Sequence, residues 1–399
     1  MVAVSPAGVL LQLLGEPALP RDDRGRPGRH TRGCDRAGLG RSRHHPHRAV
    51  ADVRACAEEA VSLRWGIVGC GDVTEVKSGP ALQQATGSAL VAVMRRDAAK
   101  AEDYARRHGV PRWYDDADAL IADPQVDAVY VATPPSTHAR YAIQAMRAGK
   151  PAYVEKPMAL DATECEAMLE ASRATGMPLF VAYYRRALPR FLKVRELLQA
   201  GAIGTPRHVR IALHRTLDTR YADGASLPWR VRPEIAGGGL FVDLGSHTLD
   251  LLDFLFGPMV EVGGQARSVS GAYPAEDTVA MSFEFANGVR GEGDWCFCSD
   301  ARRDVVEITG ERGRLAFATF DEVPIVLEAD GREQRFEIPN PRHIQLPLVE
   351  TLVAQLRGEG RCPSTGESAA RTTRVIDAVL RDFRNAASAG ARGAGDALR

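Results

Sequence analysis

Lysine is nearly absent from this chain. Five residues (Lys77, Lys100, Lys150, Lys156 and Lys193) stand against 46 arginines among 399 residues. Such a ratio suggests a GC-rich coding sequence that drifts toward arginine wherever a generic cation will do. A position that keeps lysine is one where a compact, titratable ammonium is wanted, which a guanidinium does not supply. Net charge is lacking as well, since Lys+Arg and Asp+Glu are both 51. That balance gives no overall pull toward nucleic acid or an acidic membrane surface. No apolar run reaches the ~18–20 residues that span a bilayer, so no membrane partner is expected. The seven cysteines are odd in number and form no C-x-x-C pair, which indicates neither a disulfide framework nor a zinc knuckle. A reducing cytoplasm is the compartment they fit. Cys296-x-Cys298 is expected to point its thiols to opposite faces of a strand, as packing residues.

What is present divides unevenly. Residues 1–62 are rich in Arg, Gly and His, lack periodicity and cannot bury a core, so they read as an unstructured extension. A nucleic-acid-binding arm is the sharper alternative there. From Leu63 the rhythm changes. Short apolar runs, "LRWGIV", "ALVAVM", "DAVYVAT", "AYVE" and "LFVAYY", alternate with helical patterns that open on Asp or Ser caps. This alternation predicts an α/β, doubly wound parallel sheet of the Rossmann kind over residues 63–185. After about residue 205 strand patterns with Asn-Gly and Asp-Gly turns take over. They predict a second, α+β domain over residues 186–388 with a large, mostly antiparallel open sheet. A helix from about Ser368 to Ala386 closes it, and residues 389–399 are expected to form a disordered tail.

The first strand runs into "GIVGCGDVTEV". Gly69 and Gly71 open a G-x-G-x-x-G fingerprint, with Asp72 and Val73 in the same turn and Thr74 in place of the third glycine. Glycines there permit a tight turn and close approach of backbone to a pyrophosphate. The second strand ends in Arg95-Arg96, with Lys100 one turn on, where an NAD site usually keeps a carboxylate for the ribose hydroxyls. Arginine there suits a 2′-phosphate, so NADP is expected over NAD. Asp97 reads as the cap of the next helix. Thr133, Pro134 and Pro135 end the fourth strand at the carboxyl edge, with His138 just after; these also belong to the cofactor edge.

Two further motifs carry chemistry. Glu155-Lys156-Pro157 ends the fifth strand at that same edge. In "GGGLFVDLGSHTLDLLDFLFG", Asp243 and His247 stand at i and i+4 at the start of an apolar helix, so one helix face presents both. Hydride transfer at a C–OH carbon needs a proton to move on the adjacent oxygen. An imidazole that titrates near neutrality suits that exchange. Lys156 can stabilise alkoxide character and Asp243 can orient the pair. Asp250 is expected to hold His247 or a backbone group. A metal face of Asp243, His247 and Asp250 is not favoured, because no further His or Cys joins it.

Taken together, G-x-G, "ATPPSTH", "EKP" and "GGG-x-F-x-D-x-G-x-H-x-x-D" in this order resemble the Gfo/Idh/MocA oxidoreductases, over roughly Leu63 to Ala386. The resemblance implies an N-terminal domain that binds NAD(P), and a C-terminal domain whose open sheet makes a homodimer or homotetramer. It assigns Lys156, Asp243 and His247 to the nicotinamide and the substrate carbinol. It also implies cofactor contacts from Trp229 and Arg230, and substrate contacts from Tyr184 and Arg185, with Tyr184 where the family often has Asn. The implied substrate is a sugar, polyol or related cyclic compound. Two other roles on the same fold stay open: an NAD-dependent glycoside hydrolase and a dinucleotide-sensing regulator without catalysis.

Overall fold

A computed structural model describes residues 62–221 and 227–396. The expectation of an unstructured extension over residues 1–62 concerns positions that, Ser62 apart, lie outside the described residues. The first sheet has six strands: β1 Leu63–Val68, β2 Ser88–Met94, β3 Arg112–Tyr114, β4 Ala128–Val131, β5 Ala152–Val154 and β6 Leu179–Val181. Their order is β3-β2-β1-β4-β5-β6 and every pairing is parallel. β4, β5 and β6 are buried at every residue, as a sheet covered by helices on both faces requires. Asp97 caps the helix Ala98–His108 through the main-chain N–H of Lys100, and Gly109 ends it in the left-handed conformation. Here the sequence pattern and the structure agree.

The second sheet has eight strands: β7 Pro206–His214, β8 Met259–Arg267, β9 Thr278–Phe285, β10 Arg290–Cys296, β11 Arg303–Gly310, β12 Gly313–Phe317, β13 Ile325–Ala329 and β14 Arg332–Phe336. They run in the order β14-β13-β12-β11-β7-β10-β9-β8, antiparallel except for β7 with β10. β9 and β10 alternate buried and exposed residues, so one face is core and the other open. The buried face, with Val279, Phe283 and Trp295, packs with Leu249, Leu251 and Leu252 of the helix Ser246–Phe256. The open face carries cross-strand ion pairs, Arg210–Glu292 and Arg314 with Glu307 and Glu328.

Two expectations are corrected. Cys296 and Cys298 do not point apart, because residues at i and i+2 of an extended chain share a face; their Sγ atoms are 3.8 Å from each other, both partly exposed. The closing helix is longer than its pattern suggests and runs Gly366–Asp396. It also belongs to both halves: Ala369 and Ala370 sit in the core of the first sheet with Val68 and Val131. No helix among the described residues is long and apolar enough to cross a membrane.

Candidate functional site

The site lies at the carboxyl ends of the parallel strands. Gly69 sits at φ +93°, and a Cβ there would meet Thr133 Cγ2 at 2.6 Å, so only glycine lets β1 and β4 close together at this edge. Gly71 is open: a Cβ there would meet nothing within 4 Å. Its N–H is taken, at 2.9 Å, by the Thr74 hydroxyl, the residue that replaces the third glycine. Packing at that departure is sound, since Thr74 is fully buried and its carbonyl accepts from Tyr104 at 2.8 Å. Asp72 is exposed and Val73 half-buried at the lip of the turn.

Lys156 and Asp243, 87 residues apart, meet across the cleft. The glycine run before Asp243 makes this approach. Gly237 is at φ +82°, and a Cβ on it would lie 2.7 Å from the carbonyl of Leu160, in the loop that follows Lys156. Asp243 itself occupies a wide π-type turn, Phe241–Gly245, that leads into the helix of His247. The Lys156 ammonium donates to the Asp243 carboxylate and, at 3.0 Å, to its main-chain carbonyl. On the other side Arg230 Nε lies 3.6 Å from Asp243 Oδ2, its guanidinium over the Trp229 ring at 4.5 Å. Burial raises the Asp243 pKa, yet Lys156, Arg230 and Lys77 together hold it below the ordinary carboxylate value.

His247 stands in an aromatic box. Its ring meets Tyr183, Tyr184 and Phe320 edge-on at centroid distances of 6.1, 5.4 and 5.7 Å. Neither ring nitrogen bonds a described residue, and Nδ1 is buried without a partner. Burial and the charges of Arg185, Lys156 and Lys77 keep its pKa well below the ordinary imidazole value. His247 is therefore neutral at neutral pH, rather than titrating there. Tyr184 is lowered as well: burial pushes its phenol up, but Arg185, Lys77 and Lys156 carry it below the ordinary value.

Other expected site residues are placed differently. Asp250 does not hold His247; it forms a two-pronged pair with Arg186 at 2.8 Å, fully buried, so Asp243, His247 and Asp250 do not converge. Glu155 faces inward. Its carboxylate accepts from Tyr130 Oη at 2.5 Å, Gln345 Nε2 at 2.7 Å and the main-chain N–H of Lys156 at 3.1 Å. His138 is fully buried between two main-chain carbonyls, Thr133 O at 2.7 Å and Pro157 O at 2.9 Å, and so clamps the two strand-end loops. Arg95 reaches toward the carbonyl of Cys70 at 3.5 Å, Arg96 is exposed, and Lys100 pairs with Asp97 at 2.7 Å. Thr133 accepts from the hydroxyl of Thr137, and Pro134 and Pro135 lead into that turn.

Two residues escaped the sequence reading. Lys77, in the first turn after the glycine loop, acts on Asp243, His247 and Tyr184 alike. Its signal was the rarity of lysine, which pointed equally to Lys156. Glu276 is buried and accepts from the Gly239 N–H at 2.8 Å, anchoring the glycine run. Nothing local in "AEDT" marks it.

Comparison with known proteins agrees with this geometry. Residues 63–183 match the family model for the oxidoreductase family with an NAD-binding Rossmann fold, and residues 191–316 that for the GFO/IDH/MocA C-terminal domain. Oxidoreductase P35 of Formosa agariphila is 38% identical over 79% of this chain and 97% of its own. Trans-1,2-dihydrobenzene-1,2-diol dehydrogenase of Danio rerio is 27% identical over 81% of this chain and 95% of its own. Among solved structures, aldose-aldose oxidoreductase from Caulobacter crescentus, complexed with glycerol, superposes with a TM-score of 0.72 at 25% identity, over 82% of this chain and 98% of that one.

Proposed function

The chain belongs to the Gfo/Idh/MocA oxidoreductase family, and on that premise we propose that it moves a hydride between NADP and a C–OH or C=O carbon of a sugar, polyol or related cyclic substrate. The observation that carries this reading is Lys156 seated on Asp243 beside a neutral His247, at the carboxyl edge of the parallel sheet. Relatives named for a cyclic diol and for aldoses support the substrate class.

The residues at the fingerprint fit a dinucleotide. The open space at Gly71 is the cradle a side chain would fill, and it lies beside the strand ends that carry Thr133 and Lys156. NADP over NAD is favoured by Arg95 and Arg96 at the end of β2. Asp97, the acid beside them in the chain, is already spent on its helix cap and on Lys100. A bound nicotinamide supplies or accepts the hydride.

The chain's own groups handle the proton. In oxidation of an alcohol, neutral His247 accepts the hydroxyl proton, and the Lys156 ammonium stabilises the alkoxide as it forms. Reduction runs the same path in reverse: His247, protonated from solvent, returns the proton to the oxygen as the hydride arrives, with the Lys156 ammonium stabilising the alkoxide in between. Asp243 fixes that ammonium in place. The open face of the second sheet, with its ion-pair ladder, is the surface offered for self-association. The free thiols Cys70, Cys165, Cys296, Cys298 and Cys362 suit a reducing compartment.

The test is a tryptophan-fluorescence titration with NADPH and NADH, followed by a panel of carbonyl sugars and polyols read at the nicotinamide absorbance. Tighter binding of NADPH with turnover supports the reading. Absence of dinucleotide binding contradicts it, and binding without turnover of any compound points to the regulator or the glycoside hydrolase.

A further inference from the structure

The positive charge around His247 is larger than the reaction needs. Lys156 and Arg230 are both spent on Asp243. Arg185 is not matched in this way. It is only 5% exposed, and no carboxylate of the described residues pairs with it. Its Nε donates to Thr319 O at 2.9 Å, which fixes the plane of the guanidinium. The guanidinium carbon lies 5.1 Å from the Tyr184 centroid and 4.4 Å from that of Phe320, the two rings that also flank His247. Nη1 is buried without a hydrogen-bond partner. Its chain neighbour Arg186 shows the contrast, saturated on Asp250 and Asp253. Lys77 adds a second ammonium that no described carboxylate within ion-pair distance neutralises, and it acts on the same groups.

A buried cation without a counter-ion is costly, and it persists where a ligand supplies the missing charge. We propose that the substrate carries a negatively charged substituent, and that Arg185, with its free Nη1 beside Tyr184 and Phe320, and Lys77 hold it while the carbinol meets Lys156 and His247. This deepens the oxidoreductase reading and rests on it. A guanidinium fixed at Nε still offers its outer N–H groups to a carboxylate, sulfate or phosphate oxygen. The cofactor pyrophosphate is not the partner of Arg185. Its cradle is at the end of β1, and Arg185 follows β6, three strands away in the sheet; at roughly 4.8 Å per strand that is about 14 Å.

The experiment measures kcat/KM with NADPH or NADP for matched sets: an aldose or alditol, its uronic or aldonic acid, and its sulfate and phosphate esters. The wild-type protein is expected to favour one charged member over its neutral counterpart by roughly 10²-fold, and the favoured member identifies the anion. Arg185→Gln and Lys77→Met are read as the ratio of charged over neutral kcat/KM, so a general loss of activity leaves the ratio unmoved. The ratio is expected to fall about tenfold or more in each variant. Lys77 is partly exposed, so its variant tests the idea even where Arg185→Gln fails to fold. A wild-type protein that uses neutral sugars as well as charged ones overturns the proposal, as does an unchanged ratio in Lys77→Met. Failure to bind a dinucleotide or turn over any compound is a different result, and it overturns the oxidoreductase reading itself.

Discussion

The Lys156 ammonium bonds both the carboxylate and, at 3.0 Å, the main-chain carbonyl of Asp243. A lysine on a flexible stem is thereby held at one point of the cleft, and the carboxylate is kept charged beside it. Removing the amine by Lys156→Ala is expected to lower kcat by roughly 10²–10³-fold, the usual worth of a donor to a developing oxyanion. The Kd for NADPH should stay within a few-fold. Steady-state kinetics with a parallel fluorescence titration separates the two effects.

His247 makes a prediction about pH. Its pKa is held well below the ordinary imidazole value by burial and by Arg185, Lys156 and Lys77. The neutral, proton-accepting form is therefore present on the alkaline side of that lowered pKa. For alcohol oxidation, kcat/KM should show no imidazole limb between about pH 6.5 and pH 8 and should fall only at lower pH. A midpoint near the free imidazole value would show that the box does not shield the ring. His247→Gln should remove the acidic limb along with most of the activity.

Glu276 connects stability to pH. Burial raises its pKa to about 7, above the unfolded value of about 4.3. The native chain therefore holds this proton more tightly. The contribution is fully present below the unfolded pKa and is lost as pH rises through about 7. Glu276→Gln keeps an acceptor for the Gly239 N–H and cannot ionise. Its Tm should exceed that of the wild type by a few degrees at about pH 8.5, and the gap should close near about pH 5. A gap that does not change with pH contradicts this account.

The Arg186 guanidinium is buried between Asp250 and Asp253, and Arg371 bonds Asp253 from the closing helix. Arg186→Ala leaves Asp250 without an ion-pair partner and deprives Asp253 of one of its two. Denaturant unfolding should report a loss of about 3–5 kcal/mol. A loss under about 1 kcal/mol would mean that the cluster is no more than a surface pair.

Cofactor choice is tested at the end of β2. Arg96→Ala should weaken NADPH about tenfold and leave NADH unchanged, since only NADPH carries the 2′-phosphate. Equal weakening of both would assign Arg96 to general attraction.

These expectations show what was legible in the sequence and what was not. Periodicity and caps disclosed both sheets, because strand and helix patterns are local. Gly69, Lys156, Asp243 and His247 stood out for a similar reason: each sits in a short motif at a strand end or helix start. Glu155 belonged to such a motif, yet its carboxylate turns to Gln345, 190 residues away. Asp250 kept helical spacing with His247 and still chose Arg186, 64 residues away. No local pattern reports a partner at that separation. Lys77 and Glu276 were missed on the same ground, since the features that matter are the groups whose charge one bears on and the glycine run the other holds.

The most direct measurement supplies NADPH deuterated at the transferring position with a carbonyl substrate, and weighs the product. The account predicts one deuterium on the carbinol carbon with the wild-type protein, and the same labelled product formed at least about 10²-fold more slowly with Lys156→Ala. A product without deuterium, or one formed by addition of water with the dinucleotide unchanged, would contradict it.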